Sequence, residues 1–156
     1  MSIHLPARNE QCPCAAGAPL RASRGPEQLA PGEWMETHVT LSAAGRVDTE
    51  CHIFTTNASH GFRGGTCTFL LDRAETVIAS TPLRSYDVDG TRVVGRASAW
   101  NVISRDHFPT DAYKRCVKLA ILHVLAPTRR LEQDVDEAAY RGKPLAEAVV
   151  AFTRKW

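Results

Sequence analysis

The sequence predicts an α+β fold, in which an antiparallel β-sandwich or small open barrel of five to six strands precedes two to three C-terminal helices. Three observations indicate this. Apolar and polar residues alternate from Met35 onward, as in strands with one buried face. Short turns that contain glycine or aspartate separate the alternating stretches. After Pro109 the apolar spacing changes to three and four residues, which is typical of helices.

The pattern divides the chain into a tail and one globular domain. Residues 1–32 contain five of the nine prolines and three of the ten glycines, without periodic apolar residues, so we expect a flexible tail. Residues 33–156 are assigned to one domain, with an antiparallel β unit at 33–104 and a helical segment at 109–156. A chain of 156 residues has room for one domain of ordinary size.

The first two strands are predicted to form a β-hairpin. Alternating residues at 34–42 and 46–53 flank a short loop that ends in Gly45, which is a common hairpin signal. Because one face is apolar, the register is fixed, and Ser42 is expected to pair with Arg46.

This register places four ionisable residues in one patch on the polar face. Glu36 is expected opposite His52, and His38 opposite Glu50. One interpretation is cross-strand ion pairing on a solvated face. The alternative is a site where the two imidazoles and two carboxylates hold a divalent metal or act as acid and base groups. No other cofactor is predicted.

Further strands are predicted at residues 66–71, 75–80 and 91–103, with turns at 72–74 and at Asp89-Gly90. Trp100 and Asn101 are expected near the end of the last of these strands.

The C-terminal part is predicted to be helical. A helix starting at Thr110 and ending before Pro127 fits the apolar spacing, with a short acidic helix at 128–140 and a last helix from Pro144. His123 lies off the apolar stripe and is expected to face solvent. The stripe consists of Tyr113, Cys116, Val117, Ala120, Ile121, Val124 and Leu125.

Composition excludes several classes of protein. Nineteen Lys and Arg against seventeen Asp and Glu give a net charge of +2, too small for a nucleic-acid surface built by charge alone. The longest apolar stretch, at 119–126, is too short for a transmembrane segment. The first thirty residues lack a signal-peptide pattern, so we expect a cytoplasmic protein with reduced thiols.

The five cysteines do not form a disulfide pattern. Cys12 and Cys14 are interpreted as exposed thiols of the tail. Cys51 and Cys67 fall on apolar faces, so we expect them to be buried and neutral rather than nucleophilic.

Two predicted loops carry the candidate catalytic residues. The loop at 57–65 contains three glycines, which let backbone N–H groups approach a ligand, together with His60 and Arg63. The loop at 81–90 carries Arg84 and Tyr86. In this hypothesis His60 is the acid or base, Arg63 and Arg84 bind an anion, and Tyr86 donates a hydrogen bond. Both loops must then lie at one end of the sheet.

The segment from Gly61 to Asn101 resembles a group of small uncharacterised bacterial β-domain proteins. The similarity is carried by the residues at 61–65, by Asp72 and Val77, by the residues at 86–90, and by Trp100-Asn101. The resemblance implies a recurring β-domain with a variable helical end, and it assigns no catalytic residue.

These observations predict a β-domain that binds a small molecule. If the domain is also catalytic, we expect a cofactor-free enzyme of bacterial metabolism. The alternative is a non-catalytic module that binds a protein partner through a sheet edge or through its basic C-terminal segment. Residues 111–156 contain nine Lys and Arg against six Asp and Glu, and end in Arg154-Lys155-Trp156.

Overall fold

The computed structural model describes residues 17–91 and 98–153. Over these ranges the chain forms eight strands and three helices, confirming the predicted α+β class. Their order along the chain is β1 (Leu20–Ala30), β2 (Glu33–Leu41), β3 (Arg46–Thr55), β4 (Phe62–Leu71), β5 (Val77–Ser80), β6 (Arg84–Val88), β7 (Ser98–His107), α1 (Thr110–Arg115), β8 (Lys118–Leu125), α2 (Arg129–Arg141) and α3 (Leu145–Thr153).

The strands form two antiparallel sheets that pack as a sandwich. The first sheet has the order β1-β2-β3-β7. In the second sheet β4 is central, with β8 along one edge and with β5 and β6 at opposite ends of the other edge. No helix within the described ranges has the length and apolarity needed to span a bilayer.

Strand β4 is buried on both faces because it lies in the middle layer of three. Leu70 packs toward the first sheet, whereas Cys67, Phe69 and Leu71 pack with apolar residues of α2 and α3. A strand covered on both sides shows a continuous apolar run instead of alternation, as the sequence from Cys67 to Leu71 does. The helices therefore cover the sheet, as predicted.

The predicted hairpin is confirmed, including its register. The Ser42 amide donates to the Arg46 carbonyl at 2.9 Å. Glu36 lies opposite His52 and His38 opposite Glu50, while the apolar residues of both strands face the second sheet.

The predicted tail boundary at residue 32 is wrong, because Leu20–Ala30 forms strand β1 and pairs with β2. The pairing register shifts between Arg24 and Glu27, where Gly25 has a φ of 100°. A Cβ at Gly25 would lie 2.5 Å from the Met35 carbonyl oxygen. This irregularity interrupts the alternation that would have identified the strand. Cys12 and Cys14 lie outside the described residues.

The predicted helix at 110–125 is also wrong. It divides into the short helix α1 and strand β8, which pairs with β4 along its whole length. The run from Leu119 to Val124 is buried on both faces, so its apolar residues fit a helical period and a buried strand equally well. His123 is consequently 0 % exposed instead of facing solvent.

Two further predictions change in detail, and one is confirmed. Residues 84–88 form strand β6 instead of a loop. Residues 92–97 of the predicted strand at 91–103 lie outside the described ranges, and β7 runs on to His107, so Trp100 and Asn101 lie near its start. The last two helices are confirmed as α2 and α3, and the Thr128 side chain caps α2 by accepting the Leu131 amide at 3.3 Å.

Candidate functional site

A shallow pocket of about 540 Å³, largely open to solvent, lies at one end of the second sheet, where β4 begins and β6 ends. Phe62 pairs with Val88, and Arg63 with Asp87, so the two sequence segments that carry the candidate residues meet there. The turn after β8 completes the wall. The lining residues are Gly61, Phe62, Arg63, Asp87, Val88, Asp89, Ala126 and Pro127.

Arg63 and Asp87 form a bidentate ion pair at this pocket. Arg63 Nε donates to Asp87 Oδ1 at 2.7 Å and Nη2 to Oδ2 at 3.2 Å. The hydrogen bond from Arg63 lowers the pKa of Asp87 and raises that of the guanidinium. The side chains are 56 % and 68 % exposed, so solvent and salt screen the pair and a ligand can compete for either partner. Asp89 adds a second exposed carboxylate.

His60 lies one residue before the pocket lining. Its Nδ1 is 3.0 Å from the Ser59 hydroxyl, and the residue is exposed.

Arg84 and Tyr86 lie on the opposite face of β6 from Asp87, because side chains alternate along a strand. Arg84 binds Asp106 of β7 with two hydrogen bonds of 2.8 Å, which raise the pKa of the guanidinium. Tyr86 packs in the apolar cluster around Met35, and burial raises the pKa of its phenol. The structure thus brings Arg63 to the pocket and places Arg84 and Tyr86 between the two sheets.

The four residues of the predicted metal patch share the outer face of the first sheet. His38 Nε2 lies 3.1 Å from Glu36 Oε1 on the same strand. His52 stacks on Phe54 with a centroid distance of 5.0 Å. Within residues 17–91 and 98–153, no group of three or more His, Cys, Asp or Glu side chains is arranged to hold a metal ion.

A buried polar network, which the sequence analysis missed, joins β1, β2 and β8. Glu27 Oε2 lies 3.0 Å from His123 Nδ1, and Thr37 Oγ1 lies 2.8 Å from His123 Nε2. Arg24 donates to both carboxylate oxygens of Glu27 at 2.7 and 3.0 Å, and to the Ile121 carbonyl at 2.7 Å. Two of its members lie in the predicted tail and a third in the predicted helix, so no local pattern connected them.

The protonation states in this network follow from its surroundings. Burial alone would raise the pKa of Glu27, but hydrogen bonds from His123 and Arg24 outweigh it and set the pKa at about 2. Burial lowers the pKa of His123, and the positive charge of Arg24 acts in the same direction. At neutral pH, Glu27 is therefore charged and His123 is neutral. His123 Nδ1–H donates a hydrogen bond to Glu27, and His123 Nε2 accepts a hydrogen bond from the Thr37 hydroxyl.

The resulting order of carboxylate, imidazole and hydroxyl is one that activates nucleophiles in other enzymes. Here, however, Thr37 and His123 are both 0 % exposed, so a substrate does not reach the hydroxyl. The network holds β1 and β2 against β8. Cys51 and Cys67 are buried, as predicted, and burial raises the pKa of both thiols.

No family model, curated protein or solved structure matches this chain. The resemblance to bacterial β-domain proteins therefore stays a prediction, and the chemistry of each site rests on its own residues.

The pH dependence of unfolding tests the neutral state of His123. Its pKa in the fold lies below the usual 6.5, so below that pH the unfolded chain binds more protons than the folded chain. The contribution of neutral His123 to the free energy of unfolding is fully present above pH 6.5. It is lost as the pH falls through the lowered pKa of His123. We expect His123→Gln to remove this loss in urea unfolding between about pH 7.5 and pH 5.5.

His38→Gln is the matched control, because His38 is exposed. This variant should lose stability with falling pH as the unmodified chain does. An undiminished acid loss in His123→Gln would contradict the assignment.

Proposed function

We propose that the chain binds a small polar molecule in the pocket between β4, β6 and the turn after β8. The observation that supports this is the pocket itself. Its volume of about 540 Å³ lies within the range of about 300–1,000 Å³ that is usual for small-molecule sites. It is formed by the glycine-containing segment with Arg63 and by the segment with Asp87.

The lining favours a ligand with both an acceptor and a donor group. Phe62, Val88 and Pro127 supply an apolar surface. Arg63 uses Nε and Nη2 on Asp87, which leaves Nη1 to donate to a ligand oxygen, such as that of a carboxylate. Asp89 offers a carboxylate to an amine or hydroxyl of the same ligand.

The enzymatic form of this proposal assigns proton transfer to His60, beside the pocket. Arg63 then binds the ligand. Arg84 and Tyr86, which lie between the sheets, position β6 instead of touching the ligand.

Removing the positive charge of Arg63 should weaken ligand binding. We expect backbone amide NMR titrations with small carboxylic acids and amino acids to shift residues around Gly61, Val88 and Ala126. Arg63→Gln should raise the Kd of any such probe by about tenfold or more, because a charge-assisted hydrogen bond is lost.

Arg105→Gln is the matched control. Arg105 is 58 % exposed and also pairs with a carboxylate, that of Asp48, but it lies on the outer face of the first sheet. This variant should bind the probes normally. Shifts confined to other surfaces, or equal affinities for the two variants, would contradict the proposal.

The open edge of β7 favours a second candidate function, which is association with another protein strand. β7 pairs with β3, and none of the described strands covers its other edge. Trp100 and Ile103 on this strand are 59 % and 72 % exposed. A long unpaired strand with exposed apolar side chains is a template for a further strand.

A second copy of the chain fits this edge. Antiparallel pairing of two β7 strands about Ile103 places Asn101 opposite Arg105 and Trp100 opposite Asp106 of the other copy. In this pairing, no two residues of like charge lie opposite each other. The basic end at 154–156, the other predicted contact, lies outside the described residues.

Light scattering coupled to size exclusion tests this candidate. We expect a dimer at high protein concentration and a monomer for Ile103→Lys, which places two ammonium groups opposite each other. His38→Lys, on the same outer face but away from the edge, should leave the dimer intact. A monomeric unmodified chain, or a dimer that survives Ile103→Lys, would rule this candidate out.

A further inference from the structure

The space between the two sheets contains three buried threonine hydroxyls that have no hydrogen-bond partner among the described residues. The hydroxyl of Ser104 lies in the same layer, where the Tyr86 side chain hydrogen-bonds to it. The three unpaired hydroxyls belong to Thr49 of β3 and to Thr66 and Thr68 of β4, and Ser104 lies on β7. Thr49 and Ser104 are directly opposite in the β3–β7 register. Thr66 and Thr68 lie two positions apart, so both point toward the first sheet.

These hydroxyls form a polar band across the middle of the sandwich. Thr66 is paired with Arg84 on one side and with His123 on the other. Two apolar clusters lie beyond the band, one at each end of the strands. The first contains Val39, Leu41, Val47, Leu70, Leu119 and Ile121, and the second contains Met35, Cys51, Ile53, Phe62 and Val88.

A buried hydroxyl without a partner loses its hydrogen bonds to water and gains nothing in return. Three such groups in one layer would cost a large share of the small net stability of a domain. Ordered internal water, which makes about three hydrogen bonds per molecule to otherwise unpaired groups, removes this cost.

We propose that this polar band is a binding site for internal water, formed by Thr49, Thr66, Thr68 and Ser104. The Arg84–Asp106 pair at the β6–β7 side gives the band contact with solvent, since both side chains are partly exposed. Water enters from that side and satisfies the hydroxyls. This site is separate from the pocket at Arg63, so the two proposals succeed or fail independently.

Oxygen-17 magnetic relaxation dispersion counts water molecules with long residence times and tests the site. The unmodified chain should show such waters, and the Thr66→Val/Thr68→Val double variant should show at least one fewer. Ser104→Ala, a smaller change, should also lower the count. Thr40→Val, on the outer face of the same sandwich, is the control and should leave the count unchanged.

Thermal unfolding gives a second readout with opposite signs. Because Val closely matches Thr in shape but cannot bond water, a hydrated site predicts that Thr66→Val lowers Tm by about 2–6 °C. A dry site predicts a rise in Tm, since an unpaired hydroxyl is removed. An unchanged water count in the double variant and in Ser104→Ala, or a rise in Tm for Thr66→Val, would overturn the proposal.

Discussion

The hydrogen bond between Glu27 and His123 connects the first sheet to β8 of the second. Without it, Glu27 would keep Arg24 and His123 would keep Thr37, but the Nδ1 group of the buried imidazole would have no partner, which costs free energy. Arg24 extends the contact by binding Glu27 and the backbone of β8. On the other side of the sandwich, Arg84 and Asp106 connect β6 to β7. The two sheets are thus joined by charged contacts at both sides, with apolar clusters between them.

The residues of strand β4 lie in three different environments. Its outward residues pack under α2 and α3, its inward threonines face the first sheet, and its first residues reach the pocket. The ligand binding that we propose at Arg63 would therefore leave the interior undisturbed. Arg84 and Tyr86, in contrast, lie between the sheets and away from the pocket lining. Because side chains alternate between the two faces of β6, Asp87 faces the pocket, whereas Arg84 and Tyr86 face the first sheet.

The sequence predicted the parts of the fold whose signals are local. The β2–β3 register followed from strict alternation around Gly45, and α2 from its spacing and cap. Strand β8 was mistaken for a helix because a strand buried on both faces has no alternation. Strand β1 was missed because Gly25 and Pro26 interrupt it. The buried network was missed because Glu27 and His123 are 96 residues apart in the sequence.

A double-mutant cycle between Glu27 and His123 tests the central claim, that their contact joins the two sheets. The free energies of unfolding of Glu27→Ala, His123→Ala and the double variant would be measured in urea. We expect a coupling energy of about 1–3 kcal/mol, since the contact is buried, and a smaller one for the exposed Asp48–Arg105 pair in the same experiment. Additivity of the two substitutions within about 0.5 kcal/mol would contradict the account.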